Sequence, residues 1–331
     1  MRARTPLRLG FLALAMFGAI AVSIRVGAVP LGFGEIVDAL TGRGDAGAVT
    51  IVRDLRLPRA LQAALVGAAL AVSGATFQAL LRNPLAEPFI LGVSGGAAVG
   101  AVLTVVLGWA LIGPWIMPLA AFAGAILAIV LVLQVAASVG RSLDTHVLLL
   151  AGVVIGAFFN ACILLALTFA DIESFRSAVF WMMGSLSGAG WQGTGILAIY
   201  LLPGFLIIMG LARALNLMAL GEDTAAYLGA SVERVKWTAY GTASLLAAAA
   251  VAVSGIIGFV GLIVPHVIRL LWGSDYRFLL PASALLGAVF LVLADTLART
   301  AARPTEIPVG VVTAFLGVPF FLWLLRRGRT A

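Results

Sequence analysis

Residues 60–81 read ALQAALVGAALAVSGATFQALL, a run of 22 without a single charged side chain. About 20 mostly apolar residues in helical form cross the hydrocarbon core of a bilayer, so this stretch reads as a membrane span. Applied outward, the same criterion finds spans at 7–28, 89–107, 114–138, 145–169, 191–211, 235–253, 256–271, 278–297 and 308–325. The expected fold is therefore all-α, a polytopic membrane protein with ten transmembrane helices. Composition agrees: of 331 residues, 62% are hydrophobic and 11% charged, against about 25% charged in a soluble domain. Ten spans consume roughly 200 positions, which leaves no room for a separate soluble enzyme domain. The 38 glycines suit helices whose backbones approach closely in lipid. Arg2, Arg4 and Arg8 precede the first apolar run as in a secretory signal, but no convincing small-residue cleavage site follows before Arg25. It reads as an uncleaved span.

An even span count places both termini on one side, and Lys/Arg bias chooses the side. With the termini inside, the inner segments hold Arg2, Arg4, Arg8, Arg82, Arg141, Arg213, Arg234, Lys236, Arg269, Arg277, Arg326, Arg327 and Arg329, 13 of the 21 basic residues. The net charge of +7 then lies wholly inside and the outer segments balance to zero. Positive-inside orientation accounts for the basic excess, and no nucleic-acid partner is needed to explain it.

Three connections exceed the short ones. The outer loop 29–58 contains LGFGEIVDAL, where Ile36, Val37 and Leu40 alternate with Glu35 and Asp38 as in a short helix lying on the membrane surface. The outer segment 171–190 is apolar but too short to span, which fits a partial or re-entrant helix. The inner segment 216–235, NLMALGEDTAAYLGASVERV, is the longest inner connection and the natural place to grip the subunit from inside. AVSG at 71–74 and again at 252–255 suggests an inverted repeat of spans 2–5 and 7–10.

The chemistry of a site is mostly missing. There is no P-loop, HExxH pair, GxSxG elbow or Cys/His cluster, and Cys162 is the single cysteine. No metal site or catalytic residue is expected. The middles of the spans carry essentially no ionisable groups, which deprives proton coupling of its usual carriers and weakens sodium coupling. That leaves an external energy source ahead of an ion-coupled secondary transporter with inverted repeats, and well ahead of an intramembrane enzyme. GEDTAAYLG supplies a handle for such a source. Glu222 and Asp223 fall in a first helical turn, where acids complement the dipole, and Ala225, Ala226 and Gly229 keep one side narrow. An ordinary surface helix is the other reading.

The residues also carry a resemblance. RLPRALQAALVGAALAVSGATFQALLRNPLAEPFILGVSGGAAVGA (56–101), VFWMMGSLSG (179–188), LGEDTAAYLG (220–229), GFVGLIVPHVIRL (258–270), LLPASALLGAVFLVLADTLAR (279–299) and EIPVGVVTAFLGVPFFLWLL (306–325) resemble the permease family of ABC importers for vitamin B12, haem and ferric siderophores. The resemblance covers most of the chain from Leu55 onward. It implies a homodimer in the inner membrane with a path along the dimer axis, two cytoplasmic ATPase subunits that hold ATP and Mg, and one extracytoplasmic substrate-binding protein. It implies no cofactor on this chain.

The same resemblance assigns residues. Leu220, Gly221, Glu222, Asp223, Ala225, Ala226, Leu228 and Gly229 would enter a cleft of the ATPase. Arg56, Arg59 and Arg299, outer cations set against the positive-inside bias, would receive acidic residues of the binding protein. Local pairs, Asp54 with Arg56 or Asp295 with Arg299, are the alternative. Thr145 and His146 would stand at the cytoplasmic gate. Family members often carry small hydroxyl residues there, so His146 is either a pH-sensitive part of the gate or an interfacial histidine. Phe158, Phe159, Asn160, Phe180, Trp181, Met182 and Met183 would line the path or pack the core.

Overall fold

The computed structural model describes residues 5–139 and 144–327; Arg2, Arg4, Arg141 and Arg329, counted above toward the inner charge, lie outside the described residues. Helix α1 (Thr5–Arg25) is followed by α2 (Phe33–Thr41). Next α3 (Ala46–Val49) passes through a π-helical turn (Thr50–Arg56) into α4 (Leu57–Leu80) without interruption. A 3-10 turn (Pro88–Leu91) leads to α5 (Val93–Val106), and another (Trp109–Ile112) to α6 (Ile116–Val139). There follow α7 (Thr145–Thr168), α8 (Ile172–Met182), α9 (Trp191–Gly210), α10 (Ala212–Met218) and α11 (Glu222–Tyr227). The chain ends with α12 (Val232–Ser254), α13 (Val260–Trp272), α14 (Tyr276–Ala298) and α15 (Val309–Arg327). The described residues contain no strand.

Among the described residues, seven helical runs are long and apolar enough to cross a membrane: α1, Ala46–Leu80, α6, α7, α9, α12 and α14. The remaining three expected spans fall on the shorter apolar helices α5, α13 and α15. At 1.5 Å per residue, the 13 residues of α13 rise only about 20 Å. It is short because the chain is unwound from Gly255 to Phe259, both of which adopt left-handed backbone angles (φ 67° and 70°).

The expected outer loop 29–58 needs correction. Its first part does form a helix, α2, with Ile36 and Ala39 buried against Ile24 and Val52. From Ala46 onward, however, the chain is helical and continuous with α4. Asp45 starts this run by accepting a hydrogen bond from the Gly47 amide at 3.0 Å, as an N-cap does. Arg53, Asp54 and Pro58 mimic loop residues, but they fall in the helical run, where Val52 is fully buried.

Helix α4 is the core of the subunit, in contact with α9, α12, α13 and α14. Its small residues set the spacing. A Cβ at Gly67 would lie 2.1 Å from the Gly287 carbonyl oxygen of α14, and one at Gly74 would lie 2.0 Å from that of Gly261 on α13. Between apolar helices in lipid there is little solvent-driven association, so such backbone contact supplies dispersion energy directly. Polar side chains secure the crossings: the Ser73 hydroxyl donates to Ala243 O (2.7 Å) and the Gln62 amide to Val253 O (3.0 Å).

The ends of the bundle sort the charges. Arg8 of α1 lies over the Trp272 ring, 5.9 Å from its centroid, at the end that carries Asp275 and the α10–α11 segment. At the opposite end Ser23 and Ile24 of α1 meet Arg299 and Arg56.

Candidate functional sites at the two ends of the bundle

Arg56, Arg59 and Arg299 come together at one end of the bundle, and all three are engaged within the chain. Arg56 is 7% exposed. Its guanidinium donates to three carbonyls at and beyond the end of α1: Ile24 O (2.8 Å), Arg25 O (3.3 Å) and Val29 O (2.5 Å). It thus satisfies carbonyls that the helix terminus leaves open; Asp54 is not among these partners. Arg59 is held between two carboxylates. Nε and Nη2 reach Asp295 at 3.0 and 2.9 Å, while Nη1 and Nη2 reach Glu306 at 3.1 and 3.0 Å. Arg299 lies 3.7 Å from Asp295 at i,i+4 spacing and donates to Ser23. Asp295 is 1% exposed, and its burial is compensated by the two arginines beside it.

At the opposite end, near Asp275, the 220–229 segment rests on a fixed base. Ala225 is fully buried, so it seats α11 on the subunit rather than forming part of an outward narrow face. Glu222 pairs with Lys236 of α12 at 2.5 Å, with the lysine side chain only 6% exposed. Gly229 has φ +86°. Its amide bonds Ala226 O and the Ala230 amide bonds Ala225 O, both at 2.9 Å, the hydrogen-bond pair of a Schellman stop. Open space surrounds its Cα, so the glycine is required by conformation rather than by crowding. Leu220, Tyr227 and Leu228 project outward, 69%, 92% and 60% exposed, beside the exposed Asp223 and Thr224. Tyr227 lay inside the quoted motif, yet only the structure identifies it as the tip.

A polar chain ties this base to the neighbouring ends of the core helices. Asn216 of α10 donates to Asp275 (2.8 Å) and accepts from the Tyr276 amide (2.9 Å). Arg269 of α13 donates to the Tyr276 hydroxyl (3.3 Å) and to Gln78, whose amide group reaches Gly261 O (3.1 Å). Next to Gln78, Glu87 accepts a 2.6 Å hydrogen bond from the Phe259 amide at the start of α13. Burial pushes the Glu87 carboxyl above its ordinary range, and that one bond opposes the shift. Neither residue announces itself in the sequence, because Phe259 and Gly261, which they meet, lie more than 170 positions away.

Thr145 and His146 open α7. Asp144 caps the helix by accepting from the His146 and Val147 amides at 2.7 and 3.2 Å, and these bonds hold its carboxyl below the usual range. The His146 side chain is 92% exposed, 3.5 Å from Asp144. Along α7 the path candidates separate: Phe158 and Asn160 are exposed, whereas Phe159 is 3% exposed and packs in the core. The expected partial helix is α8, 11 residues long. Phe180 and Met183 are exposed near its end, and Trp181 and Met182 pack against buried residues of α5 and α7. Among the described residues no group of His, Cys, Asp and Glu is placed to hold a metal ion.

The FecCD transport family profile matches residues 14–327. The vitamin B12 import system permease protein BtuC of Shigella boydii is 41% identical over 318 residues, 96% of this chain and 94% of that one. The ABC transporter permease protein YvrB of Bacillus subtilis is 45% identical over 298 residues, 89% of this chain and 83% of that one. A solved structure of an inward-facing, metal-chelate-type ABC transporter superposes with TM-score 0.88 at 32% identity, covering 97% of this chain and 99% of that one. PsaBC from Streptococcus pneumoniae shares the fold, with TM-score 0.58 at 19% identity over 88% of this chain and 94% of that one. The chain belongs to the FecCD transport family and is the multi-pass permease of an ABC importer.

Proposed function

We propose that the chain works as one half of a homodimer that carries a bulky chelate, a ferric siderophore, haem or vitamin B12, inward across the cytoplasmic membrane. Each subunit contributes ten spans, both termini lie inside, and spans 2–5 and 7–10 form an inverted repeat. The symmetric contacts of α4 with α13 and α14, and of α12 with α5 and α6, support the repeat. The chain hydrolyses no nucleotide. Two ATPase subunits bind ATP and Mg beneath it, and an extracytoplasmic binding protein delivers the cargo from above.

The observation that carries this reading is the exposure of the large apolar side chains Leu220, Tyr227 and Leu228 on a segment fixed by the Glu222–Lys236 ion pair. An apolar projection on a rigid base suits docking into a cleft, because little ordering entropy is lost on contact. Thr145 and His146 form part of the inner gate. Phe158, Asn160, Phe180 and Met183 face the path, and Phe159 supports it from the core.

At the outer end, Arg59 and Arg299 meet acids of the binding protein, while Arg56 holds α1 and the outer loop in place for them. Charge reversal tests this assignment. With the chain in nanodiscs, Arg59→Glu should weaken binding-protein association at every salt concentration, and wild-type association should itself weaken as salt rises. Association indifferent to both would move the docking surface elsewhere.

A further inference from the structure

The outward edge of Arg59 is already occupied. A guanidinium offers its N–H donors in one plane, and two carboxylates can share it when each takes one fork. Asp295 takes the inner fork, Nε and Nη2, and is 1% exposed. Glu306 takes the outer fork, Nη1 and Nη2, and is 44% exposed. An incoming carboxylate therefore finds both forks taken, with only a single Nη1 hydrogen open. It can bind bidentately only by evicting Glu306, since eviction of Asp295 would strand that buried acid beside Arg299.

We infer that Glu306 is an internal stand-in for the partner's carboxylate, a competitor that occupies the docking fork of Arg59 until an acidic surface of the binding protein displaces it. This deepens the docking assignment of Arg59 made above and rests on it. The two acids differ in the way such an exchange requires. Asp295 is anchored inside α14, one turn from its end. Glu306 lies in the connection between α14 and α15, after a run of exposed residues from Ala301, and can swing outward. Exchange of one solvent-facing carboxylate for another costs little net free energy, because exposed ion pairs are individually weak. Docking is then reversible without leaving the Arg59 charge unpaired in either state.

The consequence is local to the fork: loss of this rim contact within the permease should strengthen its complex by more than the change in net charge alone does. Glu306→Gln, in full-length chain in nanodiscs, should tighten binding of fluorescently labelled binding protein from the same import system by roughly three- to fivefold. Glu173→Gln removes an equal charge from the exposed first turn of α8 and controls for bulk potential; it should change affinity by less than the Glu306 variant. Phenylglyoxal modification of Arg59, followed by mass spectrometry, reads the fork without any partner and should be faster in Glu306→Gln than in wild type. Arg59→Lys, which keeps the charge but loses the fork, should weaken docking. If Arg59→Lys weakens docking while Glu306→Gln leaves affinity and modification rate unchanged or lowers either, Glu306 is a structural staple and the inference falls while the docking assignment stands. If Arg59→Lys docks like wild type, the docking assignment falls and takes the inference with it.

Discussion

Gly74→Ala is a one-carbon perturbation whose cost can be worked from the helix crossing. The added Cβ would sit 2.0 Å from the Gly261 carbonyl oxygen and 2.5 Å from its carbon, about 1.4 Å short of the 3.4 Å at which ordinary contact begins. Both sides of the clash are backbone, so no side chain can rotate away. The helices must part, at an overpacking cost of about 1–3 kcal/mol. Parting them also stretches the 3.1 Å bond from Gln78 to Gly261 O, worth roughly another 1 kcal/mol. A total of about 2–4 kcal/mol should lower the thermal midpoint of the purified chain in detergent by roughly 3–6 °C. Gly241→Ala is the matched control. A Cβ there meets nothing within 4 Å, in the interior of α12, so the helix preference for alanine should stabilise by about 0.5–1 kcal/mol. Opposite signs for the same chemical change are expected. A Gly74→Ala midpoint equal to or above wild type would show that α4 and α13 do not meet as described.

Three further outcomes are expected. Gly229→Arg should reduce ATP-driven uptake while membrane insertion stays normal, because φ +86° costs a non-glycine residue about 1–2 kcal/mol; Gly229→Asn should retain more uptake, and equal activity of both variants with wild type would exclude the Schellman stop as a requirement. Asp295→Ala leaves the guanidinium groups of Arg59 and Arg299 without their shared buried acid and should destabilise by about 3–5 kcal/mol, seen as loss of folded protein on size-exclusion chromatography; a monodisperse wild-type yield would contradict it. Glu87 has a raised carboxyl pKa in the folded state, so its protonation favours the fold: the Glu87 contribution to stability is most favourable in acid and is lost as pH rises through that raised value. Glu87→Gln removes that loss, so its melting curve should gain on wild type toward neutral pH; parallel curves from pH 4.5 to 8 would refute the burial effect.

Local pattern reveals what depends on neighbours in sequence. The apolar runs mark the long helices, the polar and apolar alternation of 33–41 marks α2, and the length of the apolar stretch after Asp171 marks α8 as too short to span. The i,i+4 pair of Asp295 and Arg299 is equally local. By contrast, Arg59 meets Asp295 across 236 positions and Glu306 across 247, and neither partnership leaves a trace in spacing. Burial of Arg56 and Ala225 is hidden for the same reason, since it depends on which elements fold back over them. The unwound segment 255–259 is hidden by composition: Ile256, Ile257 and Phe259 look like span residues, and only the backbone angles at Gly255 and Phe259 show where the helix breaks.

The most direct test of an ABC-driven permease is cargo uptake into proteoliposomes that contain the chain and its ATPase, with binding protein and labelled chelate outside and ATP inside. Uptake should require the chain, the ATPase, the binding protein and ATP, stop when the ATPase is omitted or its nucleotide site inactivated, and persist after ionophores collapse proton and sodium gradients. Uptake by the chain alone, driven by an imposed ion gradient without ATPase or ATP, would contradict that mechanism and identify an ion-coupled carrier instead.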